Sequence, residues 1–116
     1  MVVDTAERRD DRIFHALADP TRRDILRVTL EAPHSVSALA RRYPMSFAAV
    51  QKHVAVLAAA GLVTKRRRGR EQLVAGDVGT VRHAAALLDR FEALWRDCID
   101  RIGEILAEDQ REGGPP

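Results

Sequence analysis

The chain has 116 residues, 46% of them hydrophobic and 31% charged, with a formal net charge of +2. This is the length of one domain and the apolar fraction of a folded one, so wholesale disorder is excluded. The longest run of apolar or glycine residues, Val54 to Val63, is far short of the roughly 18 residues of a membrane span. The N-terminus has no apolar leader, and the one cysteine, Cys98, leaves no intrachain disulfide and no Cys-rich zinc module. A reducing, cytoplasmic setting is the expectation.

The charge is unevenly spread. Residues 1–20 carry −2, residues 21–60 carry +4, residues 61–76 carry +4 and residues 77–116 carry −4. A basic middle between acidic ends points to a polyanion bound at the centre of the chain.

Residues 1–4 and 109–116 read as tails around one domain over 5–108. A first helix is predicted from about Thr5 to Ala18, with Ile13, Phe14 and Leu17 as its apolar stripe. Asp19 then caps a second helix and Pro20 fills its first position, where a missing N–H costs nothing. That helix runs to about Glu31 with Ile25, Leu26 and Leu30 inward. Ser35 or Ser37 caps a short third helix ending near Arg42, with Val36, Leu39 and Ala40 inward. Pro44 breaks the chain at Tyr43 to Met45. Ser46 caps a fourth helix to about Ala60, with Val50, Val54, Leu57 and Ala58 on its buried face, and Gly61 ends it in the left-handed region.

Leu62 to Arg67 and Arg70 to Ala75 read as two strands joined at Arg68-Gly69. A last helix covers about 80–108. Its residues Ala84, Leu88, Phe91, Trp95, Cys98, Ile102 and Ile105 repeat at alternating steps of four and three, and Leu87, Leu94, Ile99 and Leu106 widen the stripe. A stripe that long exceeds what a small domain covers, so it is expected to dock on a second copy, together with the first helix. Phe14, Leu88, Phe91, Trp95, Cys98 and Ile102 are the expected dimer contacts.

The order short helix, break, capped helix, basic hairpin describes a winged helix-turn-helix. The fold class is therefore mainly α with a small β-hairpin: about five helices plus a two-stranded wing, over which residues 35–75 read DNA. A helix about 10–12 Å across enters the major groove of B-DNA, where the residues near its N-terminus meet base edges. Away from its core face, the fourth helix offers Ser46, Phe47, Ala48, Gln51, Lys52 and Ala55. Gln51 suits an adenine edge, Phe47 and Ala48 suit thymine methyl groups, and Lys52 suits a phosphate or a guanine. An alternative for Phe47 is packing on Tyr43 or Met45. The run Lys65-Arg66-Arg67-Arg68-Gly69-Arg70 places five cations in six residues, a hairpin that needs an anion.

These residues resemble the ArsR family of bacterial winged-helix regulators. The resemblance rests on Ala16-Leu17-Ala18-Asp19-Pro20-Thr21-Arg22-Arg23, Val36-Ser37-Ala38-Leu39-Ala40, Met45-Ser46, Val50-Gln51-Lys52-His53-Val54-Ala55-Val56-Leu57 and Gly61-Leu62-Val63, spanning about residues 10–106. It implies a dimer formed by the first and last helices, DNA read by the fourth helix and a wing at 62–75. It also implies a repressor that a signal releases, with a small-molecule inducer of unspecified chemistry as one candidate signal. His53 falls where the family often has histidine, against a phosphate or packed under the helix. Thr21, Arg22 and Ser37 lie near helix starts, where phosphates can be held.

The sequence also departs from the family's metal sensors. Residues 35–42 contain no cysteine, and the last helix has His83 without a second histidine. No cofactor and no metal at the familiar sites are expected. The expected partners are double-stranded DNA and a second copy, with no membrane. Two other readings stay open: a small-molecule or redox sensor acting through Cys98 and Trp95, and an interaction module that no longer binds DNA. Cys98 is expected to be a small buried hydrophobe, its thiolate disfavoured by Asp97 and Asp100. Paired carboxylates, a Cys–His pair and a phosphate loop are all missing, which argues against an enzyme.

Overall fold

The computed structural model describes residues 5–112. Asp19 and Pro20 divide the first helix, α1 (Thr5–Leu17), from the second, α2 (Pro20–Glu31), as their chemistry predicts. The Asp19 carboxylate accepts the Arg22 backbone N–H at 3.0 Å, and that bond, more than any other influence, holds its pKa below the usual carboxylate value. Strand β1 (His34–Ser35) follows, then α3 (Val36–Ala40) and α4 (Phe47–Ala59). Ser35 caps α3 by accepting from Ala38 N at 3.0 Å, and Ser46 caps α4 by accepting from Ala49 N at 3.1 Å.

The chain leaves α4 through a Schellman turn. Gly61 takes a φ of +76° and its N–H donates to Ala58 O at 3.0 Å, while the Leu62 N–H donates to Leu57 O at 3.0 Å. Strands β2 (Val63–Arg68) and β3 (Glu71–Gly76) then form the wing, and α5 (Val78–Glu112) closes the described chain. The Asp77 carboxylate caps α5, accepting from Thr80 N at 3.1 Å.

The strands form one antiparallel sheet in the order β1-β3-β2. The sequence led to two strands and the described residues form three, because His34 pairs with Val74 and Ser35 with Leu73. A two-residue strand is too short to show a period in sequence. The wing turn also sits one residue further on than expected. Arg68 pairs with Glu71, so Gly69 and Arg70 form the loop. Gly69 has a φ of +63° and no described non-glycine residue has a positive φ, the pattern of a type II′ hairpin turn.

The described residues divide into two compact units, one ending at Ala84 and the other beginning at Ala85. In the first, Ile13, Ile25, Val28, Leu39, Val50, Val54, Leu57, Leu62 and Val74 are fully buried. Leu30, expected inward, is 41% exposed, while Val28 and Thr29 are buried on α2 instead. Five residues of helix turn Leu30 well away from Ile25, whereas steps of three and four keep Val28 and Thr29 on its face. Thr29 is tolerated there because its hydroxyl donates to Ile25 O at 2.7 Å.

The second unit is the rest of α5. The helix reaches Glu112, four residues past the expected end, so only residues 1–4 and 113–116 of the expected tails lie outside the described residues. From Ala85 to Arg111 no residue is buried. Phe91 and Trp95 are 61% and 62% exposed, and Leu88, Ile102 and Ile105 are exposed with them. Cys98 is exposed too in the single chain, on the same uncovered stripe. Among the described residues no helix is long and apolar enough to cross a membrane.

Gly76 lies hard against α2. A Cβ placed there would come within 2.7 Å of the Leu30 side chain and 2.9 Å of its backbone nitrogen. Gly76→Ala is therefore expected to lower stability by about 1–3 kcal/mol, the usual cost of overpacking. Denaturant unfolding of the two proteins measures this.

Candidate nucleic-acid interface

Helix α4 is pinned along one side. Val50, Val54 and Leu57 are at most 2% exposed, so the opposite side of the helix must face out. Phe47, Ala48, Gln51, Lys52 and Ala55 all lie exposed there. Phe47 is 47% exposed; Tyr43 and Met45, considered as its packing partners, instead lie partly buried against the core.

The turn before α4 is tied to the body through Tyr43. Its hydroxyl donates to Asp24 Oδ2 at 2.7 Å, and Asp24 also accepts from Arg27 at 2.8 Å. The Tyr43 bond and then Arg27 hold the Asp24 carboxyl below its usual pKa. Burial, reinforced by the hydrogen bond to Asp24, pushes the Tyr43 phenol up from 10.0 to about 12.

His53 and Arg22 connect α4 to the first two helices. The Arg22 guanidinium donates to Ala16 O at 2.8 Å and His15 O at 3.0 Å, satisfying carbonyls at the end of α1. Its NH1 lies 3.4 Å from His53 Nδ1, and Asp19 Oδ2 lies 4.0 Å from the same ring nitrogen. His53 is thus half-buried in an internal polar link, the packing role among its two expected ones. Arg22, considered as a phosphate holder, is occupied by protein carbonyls.

The wing divides its cations between two faces. Strand period places Val63, Lys65 and Arg67 on one face and Thr64, Arg66 and Arg68 on the other. Val63 is buried, and so is Val74, the residue across the sheet from Lys65, so the first face is the one turned to the core. Beyond the core edge, Arg67 pairs in register with Gln72. Here the wing, the start of α3 and the first turns of α4 enclose a cleft of about 260 Å³, with Ser35, Ser37, Phe47, Gln51, Arg67 and Arg70 among its walls. Glu71 and Gln72 complete its rim.

The structure thus brings together Phe47, Gln51, Arg67 and Arg70 among the residues expected to meet DNA. It leaves Arg66 and Arg68 on the other wing face and His53 beneath the helix. Ser46 is exposed with its side-chain oxygen engaged in the cap. Glu71 and Gln72 were not singled out from sequence. Register sets Gln72 beside Arg67 on the cleft face and Glu71 beside Arg68 at the hairpin end, which nothing in a single strand's residues discloses. His83, the lone histidine of the last helix, is engaged by Asp10 at 2.7 Å. Among the described residues no three of His, Cys, Asp and Glu gather into a group that could hold a metal ion.

A short helix, a turn, a second helix with a pinned inner face and an exposed outer face, and a basic hairpin beside it define a winged helix-turn-helix DNA-binding fold. Comparison with known proteins gives the same class. A helix-turn-helix domain model matches residues 17–66. The chain is 39% identical over 99 residues to the HTH-type transcriptional regulator Rv2034 of Mycobacterium tuberculosis, covering 85% of this chain and 90% of that protein. It is 33% identical to a solved ArsR-like transcriptional regulator from Rhodococcus sp. RHA1, with a TM-score of 0.78 over 88% of this chain and 96% of that one. A homodimeric winged helix-turn-helix DNA-binding domain from Mycobacterium bovis, 22% identical over 79% of this chain and 91% of that one, shares the fold at a TM-score of 0.63. The chain belongs to the ArsR family of winged helix-turn-helix transcriptional regulators.

The raised Tyr43 pKa carries a pH dependence. The fold favours the neutral phenol, so this contribution is complete below about pH 10, the usual tyrosine value, and is lost as pH rises through about 12. Tyr43 is the single tyrosine of the chain, so phenolate absorbance reports it directly. Its titration is expected to lie well above that of a free tyrosine and to fall toward it in Asp24→Ala. The Asp24 contribution runs the other way: it is present above the ordinary carboxylate pKa and lost as pH falls below it.

Proposed function

We propose that the protein is a homodimeric, sequence-specific DNA-binding repressor that reads an inverted-repeat operator. The observation that carries this reading is the exposed outer face of α4 set beside five wing cations, of which Lys65 and Arg67 share one wing face and Arg66 and Arg68 the other. The helix supplies base contacts: Gln51 to an adenine edge, Phe47 and Ala48 to thymine methyl groups, Lys52 to a guanine or phosphate. The wing supplies phosphate and minor-groove contacts, which set affinity and its salt dependence. Ser46 and His53 act by holding the helix in place.

The dimer is supported by the exposed apolar stripe of α5, which includes Leu88, Phe91, Trp95, Cys98 and Ile102, and by Phe14 on α1. A relative of the same fold is a homodimer. Two copies related by a two-fold axis place their reading helices about 34–36 Å apart, one turn of B-DNA. The releasing signal acts somewhere other than the metal sites of the family's sensors, since residues 35–42 offer no cysteine and His83 is engaged by Asp10. A small-molecule inducer fits that reading, and the setting is the cytoplasm.

Selection of bound duplexes from a random pool tests the reading. An inverted repeat with half-sites about one helical turn apart is expected; a single unrepeated site contradicts the dimer on DNA. Gln51→Ala is expected to lose about 1–3 kcal/mol of discrimination at one base position. Removing Arg66 and Arg67 together is expected to weaken binding to all sequences alike and to flatten its salt dependence. Equal loss of base preference from both changes contradicts this division. Trp95→Glu is expected to cost the dimer about 2–4 kcal/mol, measured by sedimentation equilibrium.

A further inference from the structure

The ring of His53 stands between two opposite charges that are both held fast. Arg22 Nη1 lies 3.4 Å from its Nδ1, and Asp19 Oδ2 lies 4.0 Å from the same nitrogen. A guanidinium has donors only, so at the shorter contact Nδ1 is the acceptor, on a neutral ring with its proton on Nε2. Arg22 has little freedom to leave. Its Nε donates to Ala16 O at 2.8 Å and its Nη2 to His15 O at 3.0 Å. Asp19 is fixed as well, because Oδ2 also accepts the Arg22 backbone N–H at the start of α2.

Two fixed neighbours make the ring the movable part. A proton taken from solvent at Nδ1 removes the lone pair that accepts from Arg22 and sets one cation against another. The new N–H then has one anion within reach, Asp19. From this we infer that His53 is a proton-operated brace of the reading helix. Neutral, it ties α4 to Arg22; protonated, it releases Arg22 and closes on Asp19, and the outer face of α4 loses one of its supports. This regulates the proposed DNA site, so the consequence rests on the DNA-binding reading, whereas the exchange of partners does not. Base discrimination tolerates only small displacements, and Gln51 and Lys52 precede His53 directly on the helix. The other elements packed on α4 bring no competing anion. On α2, Arg23 donates to Leu17 O and Asp24 accepts from Tyr43. The last turn of α1 brings the exposed His15, α3 has no ionisable side chain, and the cations of β2 are exposed, as is Lys52 on α4 itself. Among the described residues no other carboxylate lies within 4.0 Å of the ring nitrogens. Protonation also adds a positive charge, which by itself strengthens attraction to any duplex. The brace therefore has its own signature: acid lowers preference among sequences without weakening binding to random DNA.

Imidazole nitrogen shifts of the full-length protein at about pH 8 and about pH 5.5, either side of the range where histidine ordinarily changes charge, test the exchange without DNA. At the higher pH His53 Nδ1 is expected to carry no proton. At the lower pH both nitrogens are expected to carry one, with the Gln51 and Lys52 amides shifted. A proton on Nδ1 at the higher pH overturns the brace. Asp19→Asn, which keeps a helix cap, is expected to lower the pH at which the ring protonates; an unchanged titration overturns the role of Asp19. The second arm is the ratio of affinities for a selected operator and a random duplex. It is expected to fall about tenfold from the higher pH to the lower, the order of one lost hydrogen bond to a charged group, with random-duplex affinity no weaker. His53→Asn keeps an acceptor near the Nδ1 position and takes up no proton, so its ratio is expected to hold constant with pH, whatever its level. A constant ratio in the unaltered protein, or a fall that persists in His53→Asn, overturns the brace. A fall abolished by His83→Gln assigns the response to the Asp10 contact of His83 and overturns it too. Exchange of partners in a protein that prefers no duplex keeps the exchange and overturns the DNA-binding reading.

Discussion

The outer face of α4 depends on the burial of its inner one. Val50, Val54 and Leu57 lie at helical spacing and are almost completely withdrawn from water. Each fully buried side chain of this size contributes about 1.5–3 kcal/mol relative to exposure, so rotating the helix about its axis forfeits several kcal/mol. That cost keeps Gln51, Lys52, Ala48 and Phe47 facing out. Both ends of the helix are fixed as well: Ser46 satisfies a first-turn N–H and the Gly61 turn satisfies the last carbonyls. Arg22 and His53 add a polar brace from the first two helices, and Tyr43 ties down the preceding turn through Asp24. A reading helix needs this rigidity, because base-edge contacts reward a fixed geometry and lose their discrimination when it slackens.

The wing works by a different logic. Its cations have no partners to hold them among the described residues, so the fold supplies only the hairpin that places them. Their alternation along β2 separates a pair facing the α4 side from a pair facing away. In the proposed reading, charge of this kind gives long-range attraction to DNA that added salt weakens, while the outer face of α4, whose single cation is Lys52, gives preference among sequences. The α5 stripe is a third kind of surface, apolar and exposed in the single chain, where a large uncovered area calls for a partner.

Much of this was legible in the sequence because it rests on local rules. Asp19-Pro20, Ser46 and Gly61 each mark a helix end by chemistry confined to a few residues, and Val50, Val54 and Leu57 announce their face by spacing alone. Leu30 shows where hydrophobicity misleads: the helix turned it off the core face, and Thr29 took a buried place by bonding its own backbone. Strand β1 escaped notice because two residues carry no period. The cleft escaped because Gln72 comes beside Arg67 only through the register of a hairpin. Cys98 is exposed in the single chain because the stripe it belongs to is not covered by that chain itself, as the length of the stripe implied.

In the proposed function, one rigid helix face and one charged hairpin together make a sequence-specific DNA-binding surface. The most direct test is the affinity of the purified protein for DNA just upstream of its own gene, against random duplex of equal length, at two salt concentrations. Preference for the upstream DNA is expected at both salts, with affinity for either duplex falling as salt rises. Equal affinity for the two duplexes, or binding indifferent to salt, would contradict it.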